Sequence, residues 1–355
     1  MNILPKIKEA DLVGRGGAGF PTYLKWEGIQ KVKADKKYVI CNASEGELGL
    51  FKDFYILQNH ADRVFKGLQL AMDFIGTKKA FFNFNGDYYK KLKLQIDELV
   101  EEYEERGYQI TIFREHPSYI GGEETALLNA IEGKRVEPRL KPPYPSDRGL
   151  FGQPTLIHNV ETLYNVADVA EDKFEKKRFY CLSFPHKKGE VHHLPANWSI
   201  KKILEKTNNI PDFPYFVQIG GSASGLVLNS SQLDKQKMMG AGSIEIYKKS
   251  TDPRELLLKW FSFYDQESCG KCTPCREGTF QLRKMVEESK NIPWQKMKPI
   301  LEVLEETSFC ALGKSVPVPV YSFLKNVLKK KLGLKGLLRL TERNILLKKG
   351  RVFCR

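Results

Sequence analysis

The sequence predicts an α/β domain with a parallel sheet over 1–170, a small α+β domain over 171–250, a helical bundle over 251–330 and a basic tail over 331–355. Three observations predict it. Strand and helix patterns alternate through the first 170 residues, which is the signature of βαβ units. Short strands separated by glycine turns occupy 179–247. From Arg254 onward the apolar spacing is helical and is interrupted by one cysteine-rich loop.

The first domain opens on a short helix over Ile3–Leu12 that runs into Gly14-Arg15-Gly16-Gly17-Ala18-Gly19-Phe20-Pro21. The turn matches G-x-G-x-x-G, but what precedes it makes a poor strand, so the expectation is a loop cradling a phosphate or a ring. A plain surface turn is the alternative. Tyr38–Cys41 reads as a buried strand that ends in Asn42-Ala43-Ser44-Glu45-Gly46-Glu47-Leu48-Gly49. Polar groups just past a strand end lie where open α/β sheets bind ligands; a solvated acidic turn is the alternative. Helical spacing follows over Asp62–Ile75, then a strand at Lys79–Phe84, a charged helix at Tyr88–Arg106 and a strand at Tyr108–Phe113. Ser118–Ala126 passes through Gly121 and Gly122 into a helix whose first N–H groups can hold an anion. Glu123 and Glu124 there also suit a first turn on dipole grounds alone. The proline-rich stretch 137–145 has the stiffness of a binding loop, and His158-Asn159-Val160-Glu161-Thr162 begins the next helix. His158 has no second ligand at a useful spacing and is not read as a metal ligand.

In the second domain Arg178–Phe184, Val191–Leu194 and Pro214–Ile219 are the strand candidates, with a short helix from Ile200. His192 and His193 alternate faces of a strand and so do not chelate one metal. In the third, helices are expected at Leu256–Tyr264, Thr279–Lys290, Trp294–Thr307 and Val320–Lys331. The loop between the first two, Glu267-Ser-Cys269-Gly-Lys-Cys272-Thr-Pro-Cys275-Arg-Glu-Gly278, holds three thiols three residues apart, with a fourth at Cys310 after the third helix. A Cys-x-x-Cys-x-x-Cys run with one distant partner suits a cubane [4Fe–4S] cluster. Zinc, more often held by two Cys-x-x-Cys knuckles, and metal-free thiols are the alternatives. Electron transfer is the working expectation.

Composition narrows the classes. No apolar run is long enough to span a membrane, and no apolar leader is visible at the start. Four of the seven cysteines belong to the cluster motif, and the odd remainder (Cys41, Cys181, Cys354) argues against a disulfide framework and for a reducing, cytoplasmic setting. The net charge of +14 is concentrated at the end: from Lys325 onward eleven Lys and Arg stand against Glu342 alone. A nucleic-acid-binding fold is therefore not expected. The tail mixes leucines with cations, which suits docking on an acidic partner or an anionic membrane surface; a solvated helix packed on the bundle is the alternative.

Taken together, Gly14–Trp26, Cys41–Asp53, Tyr119–Leu127, Leu140–Thr162, Glu267–Gly278 and Ser308–Gly313 resemble the flavin-bearing, NADH-oxidising subunit of respiratory complex I. The diaphorase subunits of NAD-linked hydrogenases and formate dehydrogenases share that family. The resemblance implies a Rossmann-like FMN/NADH domain, a β-grasp-like (ubiquitin-like) second domain and a helical bundle carrying [4Fe–4S]. It implies an NADH dehydrogenase subunit with FMN and [4Fe–4S] as cofactors and NADH as substrate. Gly14, Gly16, Gly17 and Lys25 match the segment that wraps FMN and guides the nucleotide. Asn42 and Glu45, then Gly122, Glu123 and Glu124, then Asn159 and Thr162, match three further flavin-binding stretches. Phe20 and Tyr144 match the aromatics that sandwich adenine. Glu45 and Glu47 match the positions that accept from ribose hydroxyls and repel a 2′-phosphate, favouring NADH over NADPH. Cys269, Cys272, Cys275 and Cys310 match the cluster ligands. No catalytic acid or nucleophile is implied. The expected partners are a thioredoxin-like [2Fe–2S] subunit and a downstream iron–sulfur subunit, with association at the inner face of the membrane through the complex or the tail.

The sequence departs from that pattern at Ser44, where the family usually carries Asp, at His158, where it carries Asn, at Tyr23, where it carries Gly, and at Gly28, where an aromatic often completes the adenine clamp. These departures motivate a second reading, an electron-relay or assembly subunit whose donor is not NADH.

Overall fold

The computed structural model describes residues 3–185 and 187–330, so the basic tail expected over 331–355 lies outside the described residues. The chain divides into two units. The first runs to Ile210 and adds Ile219–Ser222 and Leu233–Glu245; the second comprises Pro211–Gln218, Ala223–Gln232 and the chain from Ile246.

The first unit begins with α1 (Leu4–Glu9) and α2 (Thr22–Lys31), then β1 (Tyr38–Ala43), α3 (Lys52–Ile75), β2 (Lys79–Asn85), α4 (Gly86–Glu105), β3 (Gln109–Glu115), α5 (Glu124–Ile131), α6 (Pro145–Arg148), β4 (Thr155–Asn159) and α7 (Val160–Ala170). The strands form one sheet in the order β3-β2-β1-β4, and every pairing in it is parallel. Parallel sheets are covered on both faces, and β1 accordingly shows no alternation: Val39, Ile40 and Cys41 are all buried. Phe82 and Phe84, two residues apart on β2, point to the same face and stack at 4.5 Å. They meet the apolar stripe of α3 (Ile56, Leu57, Val64, Phe65, Leu68, Met72) and the inner face of α7 (Val160, Leu163, Val166). Helix α3 lies so close to α7 that a Cβ on Gly67 would stand 2.0 Å from the Leu163 carbonyl oxygen. The structure departs from the sequence expectation at several points. His158 and Asn159, expected to begin a helix, instead end the strand β4, and the helix starts at Val160. Helix α3 starts at Lys52 rather than Asp62, Thr22–Lys31 is a helix that contains Gly28, and Pro145–Arg148, expected to be irregular, is a helical turn.

β5 (Lys177–Ser183), β6 (Glu190–Pro195), α8 (Ile200–Lys206), β7 (Tyr215–Ile219), β8 (Leu226–Asn229) and β9 (Ser243–Lys248) follow. They supply a second sheet, ordered β6-β5-β9-β7-β8, in which β5 runs antiparallel to β6 and parallel to β9. The adjacent histidines diverge as the strand period requires: His192 Nε2 lies 2.9 Å from Glu190 Oε2, while His193 stacks on Phe179 at 4.2 Å.

In the second unit α9 (Pro253–Glu267), α10 (Thr273–Glu288), α11 (Trp294–Thr307), α12 (Ala311–Ser315) and α13 (Pro317–Asn326) follow β8 and β9. Asp252 caps α9 by accepting from the Arg254 N–H. Trp260, Phe261, Tyr264, Leu282, Leu301 and Phe323 are buried. Ser322 Oγ accepts from the Val227 N–H and Asn326 Nδ2 donates to the Val227 carbonyl, tying α13 to β8.

Candidate functional site

In the first sheet the chain runs from β1 to β2 to β3 in one direction, and β4 then returns to the other side of β1. That reversal opens a crevice past the carboxyl ends of β1 and β4, where doubly wound sheets bind ligands. The register sets Asn42 opposite Asn159 at this edge. Asn42 Nδ2 donates to the Gly122 carbonyl at 2.9 Å, tying the β1 end to the turn before α5. Asn159 Oδ1 caps α7 by accepting from the Glu161 N–H at 3.0 Å.

The glycine loop is a closed structure rather than a loose turn. The Gly14 N–H donates to the Phe20 carbonyl at 2.8 Å, and Val13 and Pro21 form a bridge across its base. The Arg15 N–H donates to Thr162 Oγ1 at 2.9 Å, and a Cβ on Gly16 would stand 3.3 Å from Asn159 Cβ. The loop therefore rests on the β4–α7 junction. Gly17 holds φ at +112°, a conformation L side chains rarely adopt.

Beneath these groups lies a buried ionic network that the sequence did not single out. Lys52 Nζ lies 2.5 Å from Asp53 Oδ1 and 3.3 Å from Glu161 Oε2, and Asn159 Nδ2 donates to Asp53 Oδ2 at 2.6 Å. The Asp53 N–H and the Tyr88 hydroxyl donate to Glu45 Oε2 at 3.0 and 3.2 Å. Burial, and then the neighbouring Asp53 charge, pushes the Glu45 carboxyl up to about 8 against the pull of Lys52. Glu45 Oε1 is buried with no hydrogen-bond partner among the described residues. Such an atom calls for a ligand's hydroxyl or amide to satisfy it. Glu47 is also buried, and its carboxylate occupies the place a side chain on Gly221 would take.

Glu123 spends its carboxylate on its own helix, accepting from the Thr125 and Ala126 N–H groups at 2.8 and 2.9 Å. The N–H groups expected to hold an anion at the start of α5 are thereby occupied. Glu124 faces Lys25 Nζ at 3.1 Å and Lys141 Nζ at 2.8 Å. Burial opposes its ionisation, but Lys25 and Lys141 outweigh burial and hold Glu124 down to about 2. Lys141, which also meets Glu123 at 2.7 Å, joins the site from the proline-rich loop. Phe20 and Tyr144, matched to the adenine clamp, are 40% and 49% exposed. The Cβ position of Gly28 stands 4.0 Å from Ser146 Oγ, two residues past Tyr144. His158 is an acceptor: Trp26 Nε1 donates to its Nε2 at 2.7 Å, and burial, then Lys25, holds its pKa down to about 3.

The four cysteines matched to the cluster ligands lie within the second unit. Cys269 and Cys272 sit between α9 and α10, Cys275 in the first turn of α10 and Cys310 at the start of α12. Burial, and then the Cys272, Cys310 and Cys269 sulfurs, pushes the Cys275 thiol up to about 11, with the Ser268 hydroxyl pulling the other way. The Phe309 N–H donates to Cys272 Sγ at 3.5 Å, the contact that tunes a thiolate ligand. A Cβ on Gly313 would stand 2.3 Å from Ser308 Oγ and 3.2 Å from Cys275 Cβ, so α12 packs closely against both side chains and only glycine fits there. Among the described residues no three His, Cys, Asp or Glu are gathered for a single metal ion. One zinc draws its ligands to ~2.3 Å, whereas a cubane spreads four thiolates over four irons, and an all-cysteine donor set fits the cubane.

Residues 7–168 match the Nuo51 FMN-binding domain, and residues 255–330 match the iron-sulfur binding region of the NADH-ubiquinone oxidoreductase F protein. The second of the NADH-quinone oxidoreductase F subunits of Rhizobium meliloti is 32% identical over 364 residues, covering 91% of this chain and 86% of the relative. The NADH-quinone oxidoreductase F subunit of Aquifex aeolicus is 32% identical over 346 residues, covering 88% and 80%. Among solved structures, an NAD+-reducing [NiFe]-hydrogenase in its H2-reduced state superimposes with a TM-score of 0.84 at 30% identity. The match covers 91% of this chain and 60% of the hydrogenase chain. The glycine loop, the strand-end crevice and the four-cysteine set thus fall inside the two matched regions, and the chain belongs to the family of NADH-quinone oxidoreductase F subunits.

Proposed function

We propose that the chain is the NADH-oxidising, electron-input subunit of a multi-subunit oxidoreductase, holding FMN in the first unit and a [4Fe–4S] cluster in the second. The observation that carries the reading is the meeting of four sequence-distant stretches, 14–20, 42–47, 122–124 and 159–162, at the crevice beside β1. When bound, FMN accepts a hydride's electron pair and releases the electrons singly, which matches a two-electron donor to a one-electron cluster. The chain's own work is binding and orientation. Gly14, Gly16, Gly17 and Lys25, with Asn42, Gly122, Glu124, Asn159 and Thr162, form the flavin cradle. Glu123 shapes it by capping α5, and Glu45 supplies it a carboxyl that keeps its proton at neutral pH. Glu47 is then the carboxylate that accepts from ribose hydroxyls and repels a 2′-phosphate, with Phe20 and Tyr144 exposed to stack on adenine. Cys269, Cys272, Cys275 and Cys310 hold the cluster.

The α+β region over 171–250 acts as a β-grasp-like second domain and the helices over 251–330 as the cluster bundle. The partners are a thioredoxin-like [2Fe–2S] subunit and a downstream iron–sulfur subunit, in a cytoplasmic assembly peripheral to the membrane. No helix among the described residues is long and apolar enough to cross a membrane.

Anaerobic titration of the FMN-reconstituted protein with NADH and with NADPH tests the reading. Stoichiometric bleaching of the flavin absorbance by NADH, and weaker bleaching by NADPH, is expected. A flavin that dithionite bleaches but NADH leaves oxidised would instead favour a relay subunit with another donor. The observation behind that second reading is that position 28, beside Ser146 and so close to Tyr144 in the chain, carries a glycine and no ring to complete the adenine clamp.

A further inference from the structure

Glu115 closes β3 and belongs to no sequence motif, yet its carboxyl is buried at the carboxyl ends of three neighbouring strands. Its Oε2 accepts from Ser44 Oγ, just past β1, at 2.6 Å, and from Asn83 Nδ2, on β2, at 2.9 Å. Two donors converging on one oxygen suit an ionised carboxylate, for which such bonds are charge-assisted. Its Oε1 occupies the space where a side chain on Gly121 would begin, so the glycine turn is seated on this carboxylate. The same turn receives Asn42 through the Gly122 carbonyl. Ser44, meanwhile, stands where the resemblance leads one to expect an aspartate. Its hydroxyl brings no charge of its own to the strand end, and the negative group it touches belongs to Glu115.

We propose that Glu115 is a positioning residue of the flavin site. From β3 it supplies the negative charge that position 44 lacks, and through Ser44 and Gly121 it sets the β1 end and the glycine turn against the flavin. The role rests on the flavin-binding function proposed above. It deepens that function by assigning the charge beside the cofactor to a different strand. A charge near a flavin tunes its electron affinity as well as its seat, so the proposal reaches beyond packing.

A charge exchange tests it. Apo-protein is prepared as wild type, Glu115→Gln, Glu115→Asp, Ser44→Asp and the double variant Ser44→Asp/Glu115→Gln. FMN dissociation constants are read by fluorescence quenching and the midpoint potential of bound FMN by anaerobic dye titration. Glu115→Gln should weaken FMN binding roughly tenfold or more and raise the potential, because a negative charge that disfavours reduction is gone. Ser44→Asp alone, which sets two carboxylates side by side, should also weaken binding. The double variant should recover affinity and potential together, a non-additive result expected only of groups in contact. Glu115→Asp, which keeps the charge, should hold the potential near wild type even if the shorter side chain loosens the turn. Unchanged affinity and potential in Glu115→Gln overturn the proposal. So does a double variant whose losses are the sum of the single ones. Wild-type protein that takes up no FMN overturns both this role and the function on which it rests, before any variant is compared.

Discussion

Glu45 shows what a single residue's surroundings decide. Its place two residues past β1 makes it a candidate from the sequence, but its protonation state depends on Asp53, Lys52 and Tyr88, which no spacing rule brings to it. Folded, the carboxyl titrates at about 8; unfolded, near 4.5. Between those values the folded chain binds more protons than the unfolded one. The stabilisation from this group is therefore full at low pH and is lost as pH rises through about 8. The melting temperature of the apo-protein should fall between pH 6 and 9, and Glu45→Gln should flatten that slope; equal slopes in both proteins would refute the assignment. Lys141 and Glu115 are invisible in the sequence for the same reason. Lys141 sits in a stretch whose composition shows only stiffness, and Glu115 ends a strand with an ordinary pattern, so only tertiary contact reveals what they touch.

At the scale of elements, β1, β2, α4, β3, β5 and α11 were legible because their apolar periodicity is strong and their ends carry turn or capping residues. Strand β4 was hidden. Five residues following Pro154, with Leu156 and Ile157 as their only aliphatic pair, give no period to count, and they pass straight into a helix capped by Asn159. The α3–α7 contact was hidden as well, although Gly67 marks it in hindsight. A glycine in mid-helix costs propensity, and here it admits the Leu163 carbonyl where no side chain fits. Gly67→Ala should destabilise the fold by ~3 kcal/mol through overpacking, against the small gain in helix propensity that an exposed position would show. Chemical denaturation measures the difference, and an alanine variant as stable as wild type would mean that α3 slides without cost.

At the scale of the molecule, the residues assigned to the flavin all lie in the first unit and the four cysteines in the second. Cys310→Ala should therefore abolish the cluster's iron content and its electron paramagnetic resonance signal while FMN affinity stays within about twofold of wild type, as expected of sites that share no residues. Loss of flavin together with iron would show that the two sites fold as one. Both cofactor regions could be read from their motifs because glycine turns and cysteine spacings are local in sequence. The crevice itself could not, because it exists only once strands far apart in sequence lie side by side.

That separation fixes an order of events during synthesis. Tyr38–Asn42 emerges early, but its partner Thr155–Asn159 and the cap of α7 are made more than a hundred residues later. One edge of β1 gains β2 as a partner well before then, but closing so long an intervening stretch onto the other edge is slow, and chains fold from the amino terminus as they are made. The crevice beside β1 is thus among the last features of its unit to close. A nascent chain has nowhere to load its flavin until α7 is complete, so loading can serve as a report that the first unit has finished folding.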